Sequence, residues 1–205
     1  WDRHMLQTDV LIVGAGPAGL AAADVLARYD IEISIIDEQA RPGGQIYRQP
    51  PRQYKVRDWL PSRIYTRGKA LLNRVSELEK IKWHSQSTVL GIADNSSTDA
   101  KYPHVVSISG PQGTQDIEAS CVLIATGCYD MPLIFPGWTL PGVMATGGIQ
   151  AFVKSQQIIP GERFLFVGTH PLQLIVADQI VRAGGNVVGV IFAQPKAIAL
   201  ELLLH

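Results

Sequence analysis

Apolar positions along the chain fall mostly into short runs, and the first run sets the pattern. Val10, Leu11, Ile12 and Val13 are consecutive apolar residues of the kind found in a strand covered on both faces. Residues 31–36, reading IEISII, predict a second strand. Residues 68–80 place Leu71, Leu72, Val75 and Leu78 on one helical face. Short β-like runs follow at 82–84, 88–92, 104–109 and 115–118, divided by Pro, Gly and Asn/Ser turns, and predict a small antiparallel meander. Residues 121–125 predict another buried strand. A helix over 146–157 carries Ile149, Phe152 and Val153 inward. A strand at 164–167, a helix at 172–183 closed by Gly184-Gly185, and a strand at 187–192 complete the series. Strand, turn, helix and strand therefore occur in that order twice, which predicts an α/β fold.

The first turn carries the chemistry. Gly14, Gly16 and Gly19 fall at G-x-G-x-x-G spacing, with Pro17 and Ala18 between, where strand becomes helix. Gly14 permits the tight turn, Gly16 lets backbone approach a pyrophosphate, and Gly19 lets helix and strand pack closely. The helix aims its free N–H groups and positive end at that phosphate. About 20 residues on, Asp37 ends the second strand, where an acid accepts hydrogen bonds from a ribose. The sequence thus predicts an adenine dinucleotide site.

The second turn is degenerate. Gly168-Thr169-His170-Pro171-Leu172-Gln173 keeps only the first glycine, with His170 at the phosphate-approach position and Gln173 at the packing position. His170 reads as a structural histidine, and no partner is assigned to His4, His84, His104 or His205. Residues 130–141 (DMPLIFPGWTLP) form a stiff, proline-punctuated connector, with Trp138 expected to pin a domain junction. The expected division is a dinucleotide-binding domain over 1–137 and an incomplete NAD(P)-binding-like domain over 138–205.

Composition bounds the partners. Apolar residues make up 46% of 205, enough for a sizeable core, and 18 basic residues balance 18 acidic ones, so net charge points to neither nucleic acid nor membrane. Between positions 41 and 69, however, eight basic residues meet one acid, Asp58, with Tyr47, Tyr54, Trp59 and Tyr65 interleaved. That stretch is expected to face a phosphate-bearing cofactor or a partner subunit rather than nucleic acid. Cys121 and Cys128 form neither a C-x-x-C pair nor a metal cluster and are expected as reduced, buried thiols. No metal site is predicted. No apolar run reaches the ~18 residues of a membrane span, and the reading is cytoplasmic, with peripheral membrane association left open. Residues 1–4 precede Met5 and read as a non-native leader.

GAGPAGL, IIDEQARPGGQIYR, CVLIATG and FPGWTLPGVM together resemble the two-dinucleotide-binding-domain flavoproteins. IDEQ-x-x-PGGQIYR and PGW-x-LPGV narrow the resemblance to the larger subunits of opine oxidases, dye-linked proline and hydroxyproline dehydrogenases, hydrogen cyanide synthase and sarcosine oxidases. The resemblance implies a Rossmann-like FAD-binding domain with an antiparallel meander and a second, truncated Rossmann-like domain. It adds Glu38, Gly43, Gly44 and Gln45 to the cofactor-binding set. It also implies that Ala125, Thr126 and Gly127 pass close to the flavin dinucleotide, with a backbone contact to adenine from Val89. The implied activity is oxidation of an amine or imino acid of opine, proline, hydroxyproline, sarcosine or glycine type. Hydride would pass to the flavin and electrons onward to an acceptor other than NAD(P), in a hetero-oligomer with a smaller catalytic or electron-transfer subunit. No catalytic residue is assigned. In some relatives the same site holds NAD or ATP, so a non-catalytic nucleotide-binding subunit is one alternative and an NAD(P)H-dependent flavoprotein reductase another.

Overall fold

The structure is a computed structural model in which residues 5–56, 63–94 and 101–193 are described. Residues 1–4, Arg57, Asp58 and Trp59 of the basic stretch, Gln194 to Lys196 and His205 lie outside them. The described residues divide into two compact units, one within Trp1–Pro51 and Pro61–Gly127, the other within Arg52–Leu60 and Cys128–His205.

The first unit is built on one six-stranded sheet. Strands β1 (Leu6–Val13), β2 (Ile33–Asp37), β3 (Ile81–Ser85), β4 (Thr88–Asp94), β5 (His104–Gly110) and β6 (Gly113–Ile124) are ordered β3-β2-β1-β6-β5-β4. The β3-β2-β1-β6 half is parallel, and β6-β5-β4 is antiparallel. Helix α1 (Pro17–Leu26) connects β1 to β2, and α2 (Thr66–Ser76) precedes β3. Ile33, Ser34, Ile35 and Ile36 are all buried in succession, as the apolar run requires of a strand covered on both faces. Leu20 and Ala23 of α1 and Leu72 and Val75 of α2 are buried at helical spacing. Arg74 of α2 donates Nε and Nη2 to the two carboxylate oxygens of Asp24 on α1, at 2.6 and 2.9 Å. That guanidinium holds the Asp24 carboxyl below the usual carboxylate range.

Several expectations change in detail. Residues 82–84 belong to β3, which pairs parallel with β2 and so joins the parallel half instead of the meander. The runs at 115–118 and 121–125 join in one strand, β6, whose residues 113–119 pair with β5 and whose residues 117–124 pair with β1. A single strand serves both halves, with no Pro or Gly between positions 114 and 124 to interrupt it. The expected burial of its last part does not hold: Cys121 is exposed on one face and Ile124, 68% exposed, on the other. Cys121 and Cys128 are free thiols as expected, but both are exposed. Helix α2 stops at Ser76, four residues short, because Glu77 and Leu78 close it with short turn bonds.

The second unit carries helix α3 (Thr146–Ala151), continued by a π-helical turn over Phe152–Gln156, so the expected single helix changes its hydrogen-bonding pattern midway. Strands β7 (Arg163–Gly168) and β8 (Asn186–Phe192) are parallel and joined by α4 (Leu172–Arg182). Val153, Phe164, Phe166, Val176, Ala177 and Ile180 form its core. Residues 130–135 are irregular and 136–142 form turns, with Met131 at 92% and Trp138 at 39% exposure. Among the described residues no helix is long and apolar enough to cross a membrane.

The half-buried His84 of β3 titrates below its usual 6.5, first because burial disfavours the imidazolium and second because Lys82 repels it. Below pH 6.5 the unfolded chain takes up a proton that the folded chain refuses, so stability falls as pH drops toward the lowered value. The urea midpoint should be higher at pH 7.5 than at pH 5.5, and His84→Gln should reduce that difference. An unchanged difference would remove His84 as its source.

Candidate functional site

The first glycine turn is shaped by backbone contact. Gly14 sits at φ +104°, where side chains are strained, and a Cβ there would fall on the carbonyl oxygen of Ala125 and stand 3.2 Å from Thr126 Cα. The turn is pinned on both sides: Gly14 N donates to Ile36 O at 2.8 Å, and Ala125 N donates to Val13 O at 2.8 Å. Thus the end of β6, with Ala125 and Thr126, lies against the turn. Gly127 follows at φ +68°, exposed. Gly19 touches the turn from the helix side, since a Cβ there would fall on Gly14 O.

A second loop returns to this turn. Gly43 N donates to Ala15 O at 2.8 Å, and Tyr47 N closes back on Gly43 O at 2.9 Å. Gln49 Nε2 donates to Pro42 O and Arg41 Nη1 to Pro50 O, both at 3.0 Å. The Tyr47 ring lies on Gly68 of α2, where a Cβ would collide with it. The result is an ordered platform that sets Gly44, at φ +57°, against Gly16: a Cβ on Gly44 would stand 2.8 Å from Gly16 Cα. A Cβ on Gly16 would meet nothing nearer than Gly44 Cα at 3.9 Å.

Asp37 is held at the same place. Its Oδ2 accepts from Ala15 N at 2.6 Å and its Oδ1 from Gln39 N at 2.8 Å, so the carboxylate clamps the turn while keeping lone pairs for a further donor. Glu38 is exposed, its Oε1 accepting from Gln39 Nε2 at 3.0 Å. Ser87 N donates to Asp37 O and Gln86 N to Gln39 O, which brings the start of β4 to this edge. Val89 lies two residues beyond Ser87, half-buried, opposite Ile108. Helix α1 begins with Pro17, and no side chain caps its first turn, so the N–H groups of Ala18 and Gly19 carry no side-chain acceptor there. Gln45 is half-buried on the returning loop. Every sequence-derived site residue belongs to the first unit, and Asp37, Gly43, Gly44, Ala125 and Thr126 meet the β1–α1 turn. What sequence reasoning missed is how tightly the returning loop is tied to that turn; the signal was the second glycine pair, Gly43-Gly44.

The second turn is built differently. His170 Nδ1 accepts from Leu172 N at 3.1 Å, so an imidazole occupies the acceptor role at the start of α4. Gln173 is only 4% exposed, and its Nε2 lies 3.5 Å from both Gly168 O and Ile191 O. Its Oε1 is enclosed without a partner. Among the described residues no group of His, Cys, Asp and Glu is placed to hold a metal.

Comparison with known proteins shows a family and a shared fold. The family described as Pyridine nucleotide-disulphide oxidoreductase matches residues 8–200. An opine oxidase subunit of Agrobacterium tumefaciens is 34% identical over 176 residues, covering 86% of this chain and 35% of that one. Hydrogen cyanide synthase subunit HcnB of Pseudomonas aeruginosa is 38% identical over 182 residues, covering 88% and 37%. The crystal structure of L-proline dehydrogenase from P. horikoshii superposes with a TM-score of 0.69 at 22% identity, covering 93% of this chain and 37% of that one, and shows the shared fold. The chain spans about a third of the length of the curated relatives it matches.

The contacts separate two neighbouring glycines. Gly19→Ala should lower stability by about 1–3 kcal/mol, because its methyl group has no room beside Gly14 O. Gly16→Ala should cost less than about 1 kcal/mol, since its φ of −74° suits any residue and the space beside it is open. Urea unfolding of both variants measures the contrast; equal losses would mean the α1–turn packing is not as described.

Proposed function

The chain belongs to the pyridine nucleotide-disulphide oxidoreductase family, and from that premise we propose that it is the dinucleotide-binding part of an FAD-dependent amine or imino acid oxidoreductase subunit. FAD is the cofactor this family implies, and the residues present fit it. The observation that carries the reading is the open backbone surface of Gly16 beside Gly44, at the uncapped start of α1. Two phosphates need such a surface, free of Cβ atoms and rich in N–H donors. Gly14, Gly16, Pro17, Ala18 and Gly19 would hold the pyrophosphate, with Gly43, Gly44 and Gln45 closing over it. Asp37 and Glu38 would take the ribose, the Val89 backbone the adenine, and Ala125, Thr126 and Gly127 the flank. When bound, FAD supplies a two-electron acceptor for the C–H bond beside the substrate nitrogen. The chain's own part is to bind and orient it.

The rest of the reading follows from the relatives and the second unit. Two of the similar proteins are named as subunits, which supports a partner subunit for this chain. The opine oxidase name supports an opine among the substrate classes; glycine, sarcosine, proline and hydroxyproline remain in the same chemical class. The second unit is taken as a domain without NAD(P) binding, because His170 fills the place where backbone should meet a pyrophosphate and Gln173 the place where helix and strand should pack closely. Cys121 and Cys128 are seven residues apart, a spacing that does not suit disulphide chemistry. Free thiols agree with a cytoplasmic location.

Anaerobic mixing of the full-length protein with candidate reductants, followed by flavin absorbance, tests the activity. Bleaching by one of proline, sarcosine, glycine or an opine, and none by NADH or NADPH, is the expected result. Bleaching by NADH or NADPH within a turnover would replace this reading with a flavoprotein reductase.

A further inference from the structure

Arg48 differs from the other basic residues of its stretch. Arg52, Lys55, Arg63 and Arg67 are exposed, where water solvates the charge. Arg48 is half-buried, and its Nε–H is enclosed by protein without an acceptor. Among the described residues no carboxylate pairs with it, whereas Arg74 meets Asp24, Arg182 meets Asp178 and Lys82 meets Glu32. A guanidinium held partly out of water without a counter-charge is costly, and an anion at its remaining N–H groups relieves that cost.

The loop says which anion. Arg48 stands four residues after Gly44, and the Tyr47 N to Gly43 O bond closes the intervening residues into a turn, with Gly44 left-handed at φ +57°, that brings Arg48's neighbour Tyr47 back beside Gly44's neighbour Gly43. Gly44 in turn lies against Gly16. The site around Gly16 already contains the carboxylates of Asp37 and Glu38, and a diphosphate would bring at least two further negative charges. Backbone dipoles offset only about half a charge at a helix end. Arg41, the other cation of this loop, has its Nη1 committed to Pro50 O. We propose that Arg48 is the cation that receives the pyrophosphate of the bound dinucleotide, which rests on the dinucleotide reading given above.

Calorimetric titration of the cofactor-stripped full-length protein with ADP and with adenosine tests this. The comparison is between the unaltered protein, Arg48→Met and Arg48→Lys, with thermal unfolding of each as a check on folding. Arg48→Met should weaken ADP by roughly 10–100-fold and leave adenosine within about 2-fold, as loss of a charge-assisted hydrogen bond to phosphate requires. Arg48→Lys should recover part of the loss, and the salt dependence of ADP binding should be shallower in Arg48→Met. An unchanged ADP affinity in Arg48→Met, or equal losses for ADP and adenosine, would overturn the assignment while leaving the dinucleotide site intact. Failure of the unaltered protein to bind ADP would overturn the dinucleotide reading, and this assignment with it.

Discussion

Both backbone polar groups of one buried residue hold the first unit's site together. Ala15 is fully buried; its N–H donates to Asp37 Oδ2 and its C=O accepts from Gly43 N. These two bonds join three segments distant in sequence: the β1–α1 turn, the end of β2 and the returning loop. A buried amide left without partners costs roughly 1–3 kcal/mol, so any rearrangement that releases either segment exposes that cost. Gly14 and Gly19 make the arrangement sterically possible, since neither has room for a Cβ. Gly16 alone keeps an open side. The turn is therefore rigid where it is packed and bare where a ligand would meet it.

The second unit repeats the chain path without repeating that solution. Gly168 persists at the end of β7, but Gln173 stands where Gly19 stands in the first turn, and its side chain lies between the ends of β7 and β8. Hydrogen-bond geometry there is long, at 3.5 Å, and Oε1 has no partner. His170 supplies the acceptor that a ligand phosphate would otherwise bring to Leu172 N. One supersecondary unit thus serves two ends, and side-chain volume at two positions separates them.

Much of this was legible in the sequence. The apolar runs located β1, β2, β7 and β8, and the glycine spacing located the turn, because burial on two faces and the absence of Cβ leave direct marks in residue type. The meander was read in outline, but the pairing of β3 with β2 was not. Residues 82–84 read KWH, which alternates as an edge strand does whether its neighbour is parallel or antiparallel. The exposure of Cys121 and Ile124 was also hidden, since an apolar strand carries no sign of which of its residues lack a cover. Asp37 was found as the acid at the strand end, but its grip on Ala15 N depends on tertiary geometry. The folding of residues 41–50 into a platform rests on bonds between backbone carbonyls and side chains, and any sequence with two glycines and a proline permits many other loops.

The bare surface at Gly16 is taken to hold the diphosphate of a flavin dinucleotide, and the flavoenzyme reading stands or falls with it. The most direct measurement is to denature the purified full-length protein and identify the released nucleotide by chromatography and mass. The same is done for Gly16→Val, whose branched side chain would occupy the space beside Gly44. The account predicts about one FAD per chain in the unaltered protein and none in the variant. Release of NAD or ATP instead of FAD would contradict the flavoenzyme assignment. Equal FAD content in the two proteins would place the flavin elsewhere.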